Sequence, residues 1–313
     1  MNNIKVLGIN LKIGIIGCGA IGSFLSIILN RSGHEITIIE KTKGCKKQKV
    51  IVENIGEEEI KVCNYNEIKG QKFDYLIFAV KAYDLEKSIK IARKYINSDY
   101  ALSTQNGLYS LEKLEKYYKS GSMIIYYGLN KIKKCHSIFN GGSKLIIGCK
   151  NRDCREEFKN LAIKDVKTEL VDNIEPYRWE KVIVNSAINP VASLYLKKNG
   201  FILENKNAYN LSLHIANESK KIASLFKINL ASDPIIELKN TIKFTYNNYN
   251  STIQDLCSNK RKTELDYINL ALYKIARKIG YQAKYNYFAY KSVMVMKDLL
   301  KENNKLCDSI LNG

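Results

Sequence analysis

The stretch KIGIIGCGAIG, residues 12–22, constrains this chain more than any other. A short apolar run meets the pattern GxGxxG and then opens an apolar helical stretch, AIGSFLSIILNRSG, which ends at Gly33. Three glycines alone say little. Between a strand and a helix they are the phosphate-binding turn of a βαβ unit. Gly17 permits the tight turn, Gly19 lets the backbone approach a pyrophosphate, and Gly22 lets helix and strand pack closely. Cys18, Ala20 and Ile21 complete the loop, and the free N–H groups of the first helical turn point at the phosphates.

The rest of the first half repeats the alternation. HEITIIE, DYLIFAV, YALSTQNG and SMIIYYGLN read as strands, with YDLEKSIKIARKYI and YSLEKLEKYY helical among them. SKLIIGC and KTELV add strands near residue 170. Apolar strands alternating with helices predict a parallel sheet covered on both faces. Beyond that the strand signal fades, and five long stretches from EPYRWEKVIVNSAINPVASLY to YFAYKSVMVMKDLL show helical periodicity. The expected architecture is an α/β Rossmann dinucleotide-binding domain over residues 11–172 and an all-helical substrate domain over 173–313. Residues 1–10 read as an N-terminal extension, and a ligand cleft is expected at the domain junction.

Composition narrows the class. The formal charge of +19 comes from lysines scattered in short runs, such as KTKGCKKQK and NKRK. No nucleic-acid-binding pattern accompanies them, so the reading is no nucleic-acid partner, and a field that attracts small anions. No apolar run is long enough to span a bilayer, and the first residues lack a secretory pattern, so a cytoplasmic protein with no membrane partner is expected. The eight cysteines form no CxxC pair and no zinc-finger spacing with the three histidines. They read as buried or incidental thiols, Cys18 included, with no structural metal.

The segment WEKVIVNSAINP, residues 179–190, is mostly apolar, yet Lys181, Asn185 and Asn189 recur at i, i+4 and i+8 and share one helical face. A polar stripe is ordinarily a solvated face, but this one is narrow and built of amides. Trp179 reads as a packing residue. At the other end of the cofactor, Glu40 follows Gly22 by eighteen residues, at the end of the second strand. A carboxylate there accepts hydrogen bonds from the adenosine ribose and favours NAD, whereas Lys41 and Lys43 just after it suit the 2′-phosphate of NADP.

Seven segments in order carry a resemblance: GCGAIG, AVKAYD (79–84), TQNG (104–107), WEKVIVNSAINP, NG (199–200), NYNSTIQDL (248–256) and TELDYIN (263–269). With these the chain resembles the ketopantoate reductases (2-dehydropantoate 2-reductases) from about residue 12 to residue 300. The resemblance implies NAD(P)H-dependent reduction of 2-dehydropantoate to pantoate, on the route to coenzyme A, with a small 2-oxo acid as partner and a homodimer left open as the assembly. It puts Lys181 at the catalytic proton donor. Asn185, Asn189, Asn199, Asn248 and Ser251 fall on substrate-binding positions, and Lys81, Asn106 and Glu264 on cofactor contacts.

Lys41 stands where the family has Arg, Glu40 replaces a small residue, and Lys198 stands where Pro is common. The stretch between Asp255 and Glu264 is one residue longer than usual, and Glu264 also reads as a helix cap. Electrostatics at Glu40 lean to NADH, and the resemblance leans to NADPH. A reductase of another 2-oxo acid and a non-catalytic dinucleotide-binding regulator are the alternatives.

Overall fold

The structure, a computed structural model, describes residues 10–161, 163, 166–258 and 262–307. Most of the expected N-terminal extension and the centre of the lengthened 256–263 stretch lie outside them. The chain divides into two compact units, one of residues up to Gln105 with Tyr109–Ile174, the other of Asn106–Leu108 with the chain from Glu175 onward.

The first unit is built on one sheet in the order β3-β4-β2-β1-β5-β6-β7-β8-β9. Its centre is parallel: β1 (Lys12–Ile16) lies between β2 (Glu35–Ile39) and β5 (Lys72–Phe78), and β6 (Asn97–Ser103) and β7 (Lys119–Lys133) follow. Period-2 alternation splits these strands between two cores. Ile13, Ile15, Tyr75 and Ile77 face α1 (Ala20–Arg31), while Ile16, Ile39, Leu76 and Phe78 face α2 (Leu85–Tyr95). β8 (His136–Gly148) returns antiparallel to β7, and its first residues pair with β3 (Cys45–Glu53), so the sheet closes on itself.

The β3 strand and its antiparallel partner β4 (Gly56–Cys63) were not evident in the sequence. Their lysines and glutamates mask the alternation, because the only aliphatic side chains fully buried are Val50, Val52, Ile60 and Val62. The turn between them depends on Asn54 (φ 69°) and Gly56 (φ 136°) in left-handed backbone.

The expectation of free thiols is overturned. All eight cysteines are paired: Cys18–Cys135, Cys45–Cys63, Cys149–Cys154 and Cys257–Cys307. Spacing could not reveal this, because strand register brings partners together. Cys45 and Cys63 are direct cross-strand neighbours on β3 and β4. Cys18 and Cys135 are 117 residues apart in sequence, with Cα atoms 5.0 Å apart.

The second unit is helical. Its spine is α5 (Glu175–Leu194), against which pack α7 (Lys206–Leu225), α8 (Pro234–Phe244), α9 (Ser251–Cys257) and α11 (Lys284–Glu302). Trp179 is buried and stacks on Phe226, which fits its reading as a packing residue. The stretch 263–281 is split into a 3₁₀ turn, Glu264–Tyr267, and α10 (Asn269–Arg277).

Pro190 lies inside α5 and cannot donate to the carbonyl of Ser186. The fully buried Asn269 supplies the donor instead, its Nδ2 reaching Ser186 O at 2.9 Å. The same amide donates to Asn286 Oδ1 at 3.0 Å, and Asn286 donates in turn to Glu218 Oε2 at 2.9 Å. α5 thus stays helical through its proline because Asn269 of α10 supplies the missing donor and Asn286 of α11 holds that amide in place.

Thiol titration of the denatured, unreduced protein should find no free thiols, and eight after reduction; a count of eight before reduction would refute the pairing. Breaking the bridges should lower the melting temperature. The long Cys18–Cys135 loop is the largest contributor, at ~4–5 kcal/mol on the loop-entropy model.

Candidate active site

The glycine loop occupies the carboxyl ends of β1 and β5. Gly17 has φ 103°, and a Cβ there would press on Val80 and the backbone of Ala79. At Gly22 a Cβ would collide with the Gly17 carbonyl, so only glycine lets α1 pack this close. Gly19 is different. Its φ of −88° suits any residue, and nothing in the protein lies within 4 Å of a Cβ built on it. The space before Gly19 is therefore open. The first turn of α1 holds no acidic residue and no side-chain cap, which leaves its N–H groups to an external acceptor such as a pyrophosphate. Ala20 and Ile21 form that turn. Lys81 caps the short turn that follows β5, two residues beyond Ala79.

Glu40 lies just past β2 and turns back on the loop. Its Oε2 accepts the Cys18 N–H at 3.2 Å, and its Oε1 accepts the Lys41 N–H at 2.8 Å. The carboxylate thus lies against the glycine loop, with both oxygens engaged by backbone N–H groups.

In the helical unit, Asn106 and Glu264 meet directly: Asn106 Nδ2 donates to Glu264 Oε2 at 3.2 Å. The turn that carries Asn106 needs glycine next. Gly107 has φ 94°, a Cβ there would collide with the Tyr267 carbonyl, and Leu108 N–H donates to that same oxygen at 3.0 Å. Thr263, not Glu264, occupies the N-cap of the 3₁₀ turn, and no side-chain cap bond is made there.

Lys181 projects from α5 toward the same carboxylate. Burial drives its ammonium pKa down from the usual value to about 8, and the charge of Glu264 opposes the fall. Asn185 and Asn189 continue this face, about 6 and 12 Å along the axis at 1.5 Å per residue. Asn189 is buried and Asn185 half-buried. Among the described residues neither carboxamide is hydrogen-bonded to another side chain.

One more turn along, Ser193 Oγ reaches Asn250 Oδ1 at 3.5 Å. Asn250 caps α9 through Thr252 N and Ile253 N, and this places Ser251 at the first helical position. Asn250 was not singled out from sequence, although an Asn before Ser-Thr is a standard capping signal.

Asn199 is buried and already engaged. Its Nδ2 donates to Thr245 Oγ1 at 2.9 Å, its Oδ1 accepts from Asn250 Nδ2 at 3.3 Å, and its N–H donates to Asn248 O at 3.0 Å. It ties the segment holding Asn248 and Ser251 to the end of α5. The helical unit thus gathers Lys181, Glu264 and Asn106 at one end of a polar row, and Asn199, Asn248 and Ser251 at the other. Gly17, Cys18, Gly19, Gly22, Glu40, Lys41 and Lys81 belong to the first unit.

The chain is similar to proteins of one family along nearly its whole length. Residues 13–152 match the family model for ketopantoate reductase PanE/ApbA, and residues 173–297 match the model for its C-terminal domain. A 2-dehydropantoate 2-reductase of Aquifex aeolicus is 30% identical over 90% of this chain and 96% of its own length. That of Pyrococcus horikoshii is 28% identical over 92% and 98%. The fold is shared with a D-mandelate dehydrogenase solved with NADH and anilino(oxo)acetate, at a TM-score of 0.82 and 23% identity over 93% of this chain and 99% of that one.

Because a side chain at position 19 meets only open space, Gly19→Val should fold normally yet lose dinucleotide binding. Circular dichroism and a fluorescence titration with NADH and NADPH check both halves. An unchanged titration would remove the loop from the cofactor site.

Proposed function

Since the chain belongs to the ketopantoate reductase family, we propose that it reduces 2-dehydropantoate to pantoate with NAD(P)H, and that Lys181 is the general acid. The observation that carries this reading is the ammonium of Lys181, brought to a pKa of about 8 beside Glu264 and followed along α5 by two carboxamides that bond no other side chain among the described residues. When bound, the nicotinamide supplies a hydride to the keto carbon. The protein has to answer the negative charge that grows on the keto oxygen.

Lys181 does so from a partly dehydrated position, where its charge is felt strongly and its proton leaves readily. Near neutral pH it is still mostly protonated, which a proton donor requires. Asn185 and Asn189 offer N–H groups and carbonyls to the substrate's carboxylate and hydroxyl without a second charge that would compete for the oxygen. Asn248 and Ser251 present further polar groups, and Asn199 holds their segment in position. Glu264 and Asn106 act on the cofactor side, with Glu264 keeping the lysine from losing its proton too early.

The residues of the glycine loop fit a dinucleotide. Open space at Gly19 and unclaimed N–H groups at the start of α1 suit its pyrophosphate. We place the reaction in the cytoplasm, where nicotinamide cofactors are at hand.

Steady-state rates on a panel of 2-oxo acids test the substrate, and a clear preference for an acid other than 2-dehydropantoate would sink the assignment. Lys181→Ala is expected to lose roughly 10²–10⁴ in kcat while cofactor titration is unchanged. Near-normal turnover would take Lys181 out of the mechanism. The pH profile follows from the lysine. Its acid form disappears above a pKa of about 8, so kcat should fall on the alkaline side of that value. Glu264→Gln removes the charge that raises this pKa, so the alkaline limb should move to lower pH. A limb that stays in place, or moves up, would contradict the coupling.

A further inference from the structure

The turn between β7 and β8 brings a second cation to the ribose-reading position. Lys134 Nζ donates to the Lys41 carbonyl at 2.9 Å and lies 4.0 Å from Glu40 Oε1. We propose that Lys134 is a specificity-determining residue for the cofactor, which with Lys41 forms a two-lysine seat for the 2′-phosphate of NADP. The proposal rests on the dinucleotide reading above and adds to it the choice between the two nicotinamide cofactors.

Three features of this cluster support it. First, the Glu40 carboxylate is turned inward. Both its oxygens accept backbone N–H groups, from Cys18 and from Lys41, and the Lys134 ammonium stands beside one of them. A carboxylate so occupied is a weaker acceptor for a ribose hydroxyl and a weaker repellent of a phosphate.

Second, the charges sum differently once Lys134 is counted. Glu40 and Lys41 alone cancel; with Lys134 the cluster carries one net positive charge, the sign that a phosphate dianion needs. An ammonium has three donors, and Lys134 directs one at the Lys41 carbonyl, with others to spare.

Third, the cluster is held in place rather than displayed on loose loops. The Cys18–Cys135 bridge joins the residue after Lys134 to the glycine loop, and the Cys135 N–H donates to Cys18 O at 3.1 Å. On the other flank Glu40 N–H donates to Cys63 O at 2.9 Å, Asn64 Nδ2 donates to Thr42 O at 3.1 Å, and Cys45 is bridged to Cys63. A seat fixed on both sides loses little entropy when a phosphate arrives.

Lys134 and Lys41 are solvent-facing, so the interaction is screened and its effect is measured in multiples rather than orders of magnitude. Calorimetric titration with NADPH, NADH, 2′,5′-ADP and 5′-AMP tests the seat directly, without turnover. The wild type should bind 2′,5′-ADP more tightly than 5′-AMP. Lys134→Ala should weaken NADPH and 2′,5′-ADP by about five- to tenfold and leave NADH and 5′-AMP within twofold, and Lys134→Arg should retain the preference. Equal losses for phosphorylated and unphosphorylated ligands, or no loss for either, would overturn the role of Lys134 while NADH binding still upheld the dinucleotide site. A wild type that binds neither cofactor would overturn the dinucleotide reading itself, and this proposal with it.

Discussion

The helical unit depends on one carbonyl. Ser186 O sits in the middle of α5, and Pro190 leaves it without its helical donor. A buried carbonyl with no partner costs ~1–3 kcal/mol, and an interior proline tends to kink a helix as well. Asn269 removes the first cost by donating at 2.9 Å, and through Asn286 and Glu218 it fastens α10, α11 and α7 to the same point. Because α5 continues through its proline, Asn189 and Ser193 stay in line with Lys181 and Asn185. The polar row is a property of that uninterrupted helix.

On this row the balance at Lys181 decides the chemistry. Burial disfavours the ammonium and Glu264 favours it, and burial wins by enough to bring the pKa to about 8. Burial without the carboxylate would push the ammonium further toward its neutral form, which has no proton to give. An exposed lysine would hold its proton too firmly and spend its charge on water. The position of Glu264 is itself set by a tight turn. Gly107 is the one residue type that lets residues 106–108 lie against Tyr267, and Asn106 then bonds the carboxylate.

In the first unit the corresponding constraint is the contact of Gly22 with the carbonyl of Gly17. It sets α1 against β1 and turns the helix's unpaired N–H groups toward the open space at Gly19. Around that loop two disulfides, the Glu40 N–H bond to Cys63 O and the side-chain bonds of Asn64 to Thr42 O and of Lys134 to Lys41 O hold residues 40–45. Glu40, read from sequence as a ribose acceptor, already accepts from the backbone N–H groups of Cys18 and Lys41.

Much of this was legible in the sequence, since it rests on local periodicity and local motifs. The βα alternation, the glycine turn, the helical second half and the Lys181–Asn185–Asn189 face all follow from spacings of two to four residues, and such spacings survive folding unchanged. The β3–β4 hairpin escaped because its charged residues outnumber the four aliphatic side chains that point inward. The cysteine pairs, the Asn269 donor, the Asn199–Asn250 tie and the approach of Lys134 to Glu40 were invisible for a different reason. Each joins residues 18 to 117 positions apart, or 5 apart across a turn, and strand register or helix packing decides which of many candidates meet. By itself the sequence determined which groups the chain offers to a dinucleotide and a small acid. Only the tertiary structure decided which of them are already bonded within the protein, because a side chain's remaining hydrogen-bonding capacity depends on neighbours that the linear order does not name.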